Sequence, residues 1–125
     1  MIEIRSVAED RELRRFHAGI AGADYESNGQ LSFSPDGRYL VWLSERGASG
    51  AWLWESGETA YEGGSEPCRS KAFSPDSRKL ALGYDDRIRC IDLRTGDESG
   101  IGSVLGPVHS MEFSPAGSRL AVGYL

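Results

Sequence analysis

One tripeptide returns at a fixed interval and constrains the fold more than any other feature. Phe33-Ser34-Pro35, Phe73-Ser74-Pro75 and Phe113-Ser114-Pro115 lie 40 residues apart at each step. Self-similarity at this period means repeated supersecondary units, and 40–45 residues is the length of a four-stranded blade. The register extends beyond the tripeptide. Asp36, Asp76 and Ala116 follow the prolines, then Gly37, Ser77 and Gly117, and Leu40, Leu80 and Leu120 share one phase. Ala81-Leu82-Gly83-Tyr84 returns as Ala121-Val122-Gly123-Tyr124.

Each copy reads as short strands separated by turns. An apolar first strand such as Gln30–Phe33 runs into Pro-Asp-Gly, where proline presets φ, aspartate caps the turn and glycine tolerates positive φ. A second strand, Arg38–Leu43, alternates poorly, as expected where a sheet is covered on both faces. Ala51–Trp54 and Ile88–Leu93 are third strands, and Thr59–Glu62 and Ile101–Leu105 are weaker fourth strands. Short strands at this spacing predict an all-β repeat fold.

The run Phe33-Ser34-Pro35-Asp36-Gly37-Arg38-Tyr39-Leu40, with the later Ile91-Asp92-Leu93-Arg94-Thr95-Gly96, resembles the WD-repeat β-propellers over nearly the whole chain. The resemblance implies blades of four-stranded antiparallel sheets and a role in binding or scaffolding. It does not carry over the family's buried Asp-His-Ser-Trp network. The Trp-Asp pair is absent, and neither His17 nor His109 follows a glycine.

The two ends of the sequence read as complementary half-blades. Ile2–Val7 aligns with the third strand Ile88–Leu93, and Glu12–Phe16 reads as a fourth strand. Arg119–Tyr124 reads as a second strand. The expected organisation is therefore residues 1–29 as third and fourth strands of a split blade, 30–69 and 70–109 as full blades, and 110–125 as first and second strands of a split blade. That makes about three blade equivalents, and propellers close with about four to eight. Head-to-tail association is a heterologous contact that closes when the rotation permits. Two chains would give six blades and three would give nine, so a homodimer is expected ahead of a homotrimer.

Composition narrows the partners. A net charge of −5 and a pI near 5.0 argue against nucleic acid or an anionic membrane, both of which attract basic patches. No apolar run approaches a membrane span, and the charged Met1–Asp10 lacks the apolar core of a leader, so the cytoplasm is the expected location. Cys68 and Cys90 have no metal-type spacing and read as reduced structural thiols.

Candidate chemistry is sparse. Trp42, Trp52 and Trp54 fall in one blade and read first as core, with Trp52 or Trp54 as the member that could reach a surface. Asp85, Asp86 and Asp92 lack a cation-binding loop pattern and read as a solvated hairpin. Arg11, Arg14 and Arg15 read as the outer face of a strand. No nucleophile elbow surrounds a serine, and Gly47-Ala48-Ser49-Gly50 has no lysine sequel for a phosphate loop. No catalytic, cofactor or metal residue is assigned. The expected function is a non-catalytic protein-interaction scaffold with the chain itself, and a further protein or peptide, as partners. Its candidate surface is Asp24, Tyr25, Arg46, Trp52, Trp54, Asp85, Asp86 and Arg87. A carbohydrate-binding oligomeric propeller and a propeller enzyme with a channel site are the alternatives.

Overall fold

The computed structural model describes residues 2–16, 30–43, 49–63, 66 and 68–124. Twelve strands occur among them, in four sheets. β1 (Ile2–Ser6) pairs with β2 (Arg11–Phe16). β3 (Gln30–Phe33), β4 (Tyr39–Leu43), β5 (Ser49–Leu53) and β6 (Glu58–Glu62) form a four-stranded meander. β7 (Ser70–Phe73), β8 (Lys79–Gly83), β9 (Arg87–Asp92) and β10 (Glu98–Ser103) form a second one. β11 (Val108–Phe113) pairs with β12 (Leu120–Tyr124). All pairings are antiparallel, and no helix occurs among the described residues.

The repeated turn explains why the sequence folds this way locally. In the first copy the Ser34 amide donates to the Tyr39 carbonyl at 2.9 Å, and the Tyr39 amide donates to Ser34 Oγ at 3.0 Å. Ser34 Oγ donates to the Asp36 carboxylate at 2.7 Å, which also accepts the Arg38 amide at 2.9 Å. Ser74 and Asp76 repeat this arrangement at 2.6–3.0 Å. The third copy keeps the serine bonds to Arg119 but has Ala116 in place of the carboxylate. The residue after this position has positive φ each time: Gly37 at 75°, Ser77 at 60° and Gly117 at 78°. Serine pays a steric penalty there that glycine does not.

The sheets stack in chain order, and three apolar layers lie between them. Ile2 and Ile4 pack against Leu40, Trp42 and Trp52. Tyr39, Val41, Leu43 and Ala51 pack against Leu80, Leu82, Ile91 and Leu93. Ala81 and Ile88 pack with Val108, Met111, Phe113, Leu120 and Val122. Every residue of β4 is buried, because β4 is covered on both faces, which is why its sequence does not alternate. Trp42 lies directly across from Gly50, where a Cβ would fall 2.6 Å from the indole Nε1, so only glycine leaves it room.

Some boundaries differ from the sequence reading. β10 starts at Glu98, three residues before the expected Ile101, because the Asp92–Asp97 turn closes tightly and pairing begins at once (the Asp92 amide donates to the Asp97 carbonyl at 2.8 Å). Trp54 lies in the turn after β5 and not in the strand. β11 starts at Val108, two residues ahead of the expected division at 110.

Candidate interaction surfaces

Asp85, Asp86 and Arg87 surround the β8–β9 turn and bind one another's neighbours. Arg69 bonds Asp85 at 2.7 Å, while Arg87 reaches Asp86 at 2.9 Å and Glu66 at 2.8 Å. These pairs are solvent-exposed, so each contributes little to stability. Tyr84 lies beneath them, with the guanidinium carbons of Arg87 and Arg89 at 5.0 and 5.6 Å from its ring. Burial pushes the Tyr84 hydroxyl well above its ordinary range. Arg89 is anchored by Glu98, whose carboxyl the arginine holds below its usual range. The result is a ridge of mutually compensated charge, and no group of three metal-ligating side chains occurs among the described residues.

The tryptophans are blade core. Trp42 is 3 % and Trp52 9 % exposed, and their rings stand 5.6 Å apart. Trp52 is therefore not available to an exposed binding surface, which corrects its candidacy: β1 lies over it through Ile2 and Ile4. Trp54 is partly buried, its Nε1 donating to the Gly37 carbonyl at 2.7 Å while its ring meets Phe33 edge-on. Asp24, Tyr25, Arg46 and His17 lie outside the described residues. His109 is exposed on β11. Cys68 and Cys90 are buried free thiols, and burial pushes the Cys68 thiol up to about 11, away from thiolate chemistry.

The surface that sequence reading did not single out is a groove of about 280 Å³. It is walled by the edge of β1 (Ile2, Glu3, Ile4 and Arg5) and floored by Leu31, Ser32, Phe33 and Leu40. Leu31 and Phe33 are 46 % and 49 % exposed there, a large apolar display for first-strand positions. One signal in the sequence pointed to it: Phe33, Phe73 and Phe113 share one register, and the latter two are partly buried against a neighbouring sheet. Phe33 faces the β1–β2 sheet, which has two strands among the described residues. The first two sheets are also joined by Arg14, whose guanidinium donates to the Glu55 carbonyl at 2.6 Å.

No protein-family model matches the chain, and no curated protein matches it either. Among solved structures, the chain is similar to the β-propeller domain of Cps50 (Swd1) from Myceliophteria thermophila, with a TM-score of 0.62 and 22 % identity. The likeness covers 76 % of this chain and 32 % of that one, so the chain spans about a third of that propeller's length. At that identity the likeness concerns architecture. The chain has a β-propeller fold.

Proposed function

We propose that this chain is a non-catalytic protein-interaction scaffold of the WD-repeat type, working as part of a closed ring completed by a second copy of itself. The observation that carries this reading is the pair of two-stranded sheets at its flanks. One contributes a third and a fourth strand, the other a first and a second, and among the described residues the inner edge of β1 and the outer edge of β12 have no neighbouring strand. Unpaired edges and apolar faces invite association. Two copies give six blades, within the usual range for propellers, whereas three give nine. Such a ring is a rigid platform whose loops carry recognition.

The likeness to a propeller domain supports a binding role by analogy of fold. Trp42 and Trp52 are buried, so the carbohydrate reading gains no support from them. Two buried free thiols suit a reducing compartment, and the cytoplasm remains part of the proposal. The test is the mass in solution by light scattering coupled to size exclusion. A value near twice 13.6 kDa is expected. A stable particle of one chain's mass would overturn ring completion by a second copy.

A further inference from the structure

Two alignments fix what would fit the groove. Asp10, Gly57 and Gly96 all have positive φ, and each lies four residues beyond the last residue of a third strand, Ser6, Leu53 and Asp92. This aligns β1 with β5 and β9 residue by residue. The serine turns do the same for the second strands. Ser34, Ser74 and Ser114 donate their amides to Tyr39, Lys79 and Arg119, so β12 aligns with β4 and β8.

Both complete sheets then pair their second and third strands in one register. Leu40 lies opposite Trp52 and Val41 opposite Ala51. Leu80 lies opposite Ile91 and Ala81 opposite Cys90. Carried onto the flanking strands, each sheet independently gives the same result: Leu120 opposite Arg5, Ala121 opposite Ile4, Val122 opposite Glu3 and Gly123 opposite Ile2.

We infer that the groove beside β1 is the seat of β11 and β12 from a second copy, with β12 adding to the free edge of β1 in that register. The inference rests on the ring proposed above and specifies its joint. Strand addition of this kind takes its affinity from main-chain hydrogen bonds and its specificity from alternate side chains.

The side chains complement one another. Leu120 and Val122 pack against the β7–β10 sheet, so Ala121 and Gly123 point the other way along an alternating strand. Those small residues would face Leu31, Phe33 and Leu40 on the groove floor. The joint also continues an interface the chain already builds internally, where the same positions are filled. Ala81 is 0 % exposed and its counterpart Ala121 is exposed. Tyr84 is 3 % exposed against 38 % for Tyr124, and Leu93 is 3 % exposed against 100 % for Val7. A single docking event covers the groove floor and brings Val7 beside the β7–β10 sheet of the second copy.

The test mixes two single variants of the full chain, Glu3→Cys and Val122→Cys, and oxidises them. Neither variant can form the on-register disulfide alone, so a mixed product reports contact between copies. Directly opposed residues have Cβ atoms close enough for a disulfide, and a one-residue slip turns one thiol to the other face. The expected result is a disulfide-linked pair at least ~10-fold more abundant than from Glu3→Cys mixed with Ala121→Cys. If the unmodified protein has the mass of two chains but cross-links equally or better out of register, this joint is wrong and the ring reading survives. If it has the mass of one chain and no mixed product forms, the second copy is excluded and the ring reading falls with it.

Discussion

The strands β8 and β12 carry nearly the same sequence and the same turn before them, yet they differ in almost every measure of burial. Leu80 and Ala81 are fully buried, whereas Leu120 is only partly so and Ala121 is exposed. The difference lies in what stands beside each strand. β8 has β7 and β9 at its two edges and sheets on both faces, while β12 has β11 at one edge and one sheet behind it. An apolar blade pattern thus specifies a position in a stack, and the stack decides whether the position is core.

The comparison breaks most visibly at the shared leucine. Leu80→Ala should cost about 2–5 kcal/mol, as for other large-to-small changes in a packed core, while Leu120→Ala should cost well under half of that in a dissociated chain. Urea unfolding of both variants checks it, and equal losses would mean that β12 is as well covered as β8. Next in size is the serine of the turn. Ser74→Ala removes a buried hydroxyl that bonds the Lys79 amide and Asp76, for an expected loss of about 1–3 kcal/mol. Ser114→Ala should lose less, since Ser114 is not fully buried.

Arg5 sharpens the contrast from the other flank. It stands where Trp52 and Ile91 stand in the complete sheets, and it pairs with Glu3 at 2.6 Å and Asp10 at 3.0 Å. Arg5→Ile is expected to tighten self-association by about 1–2 kcal/mol, roughly tenfold in dissociation constant, as apolar area replaces an exposed ion pair. Dilution monitored by light scattering reads it, and weaker association would show that this face of β1 stays in water.

The carboxylate turns give a pH-dependent contrast. Partial desolvation works to raise the Asp36 carboxyl, but bonds from Ser34, the Arg38 amide and Ser77 outweigh it and hold the group below its ordinary 3.8. Bonds from Ser74 and the Arg78 amide lower Asp76 likewise. A depressed carboxyl stabilises the fold above its unfolded value, and that contribution is lost as pH falls through the folded value. The Asp36→Asn, Asp76→Asn double variant should therefore lose less stability between pH 5 and pH ~2 than the unmodified chain, by thermal melts. The smallest effect is a gain: Ala116→Asp should add about 0.5–1 kcal/mol by supplying the third turn with the missing acceptor. No gain would mean that the Ser118 amide, the counterpart of Arg38 and Arg78, is served equally well without a carboxylate at 116.

Much of this was legible in the sequence because the repeat fixes local chemistry. Phe-Ser-Pro-Asp-Gly encodes a turn whose closing serine and aspartate bonds lie within six residues, and the strands either side inherit their register from it. The alignment of Ile2 with Ile88 is the same one that the positive-φ residues Asp10 and Gly96 give. What escaped sequence reading depends on distant partners. The Asp36 amide donates to Ser77 Oγ at 3.0 Å, across two sheets and 41 residues, and nothing local announces it. Trp52 reads as a candidate for exposure until β1 is placed over it, and the groove exists only where β1 meets β3 and β4. Charges at Asp85, Asp86 and Arg87 were legible as a turn, but not their pairing with Arg69 and Glu66.

The edges of β1 and β12 that have no strand beside them among the described residues belong to opposite ends of the stack. In the ring proposed above, assembly through them has a direction, so a copy with one damaged edge would still join through the sound one. Its ring would close at one joint where an intact pair closes at two. Co-expressed at substoichiometric amounts, such a copy would withdraw intact copies into singly joined pairs, and the damage to the population would exceed the fraction of defective protein in it.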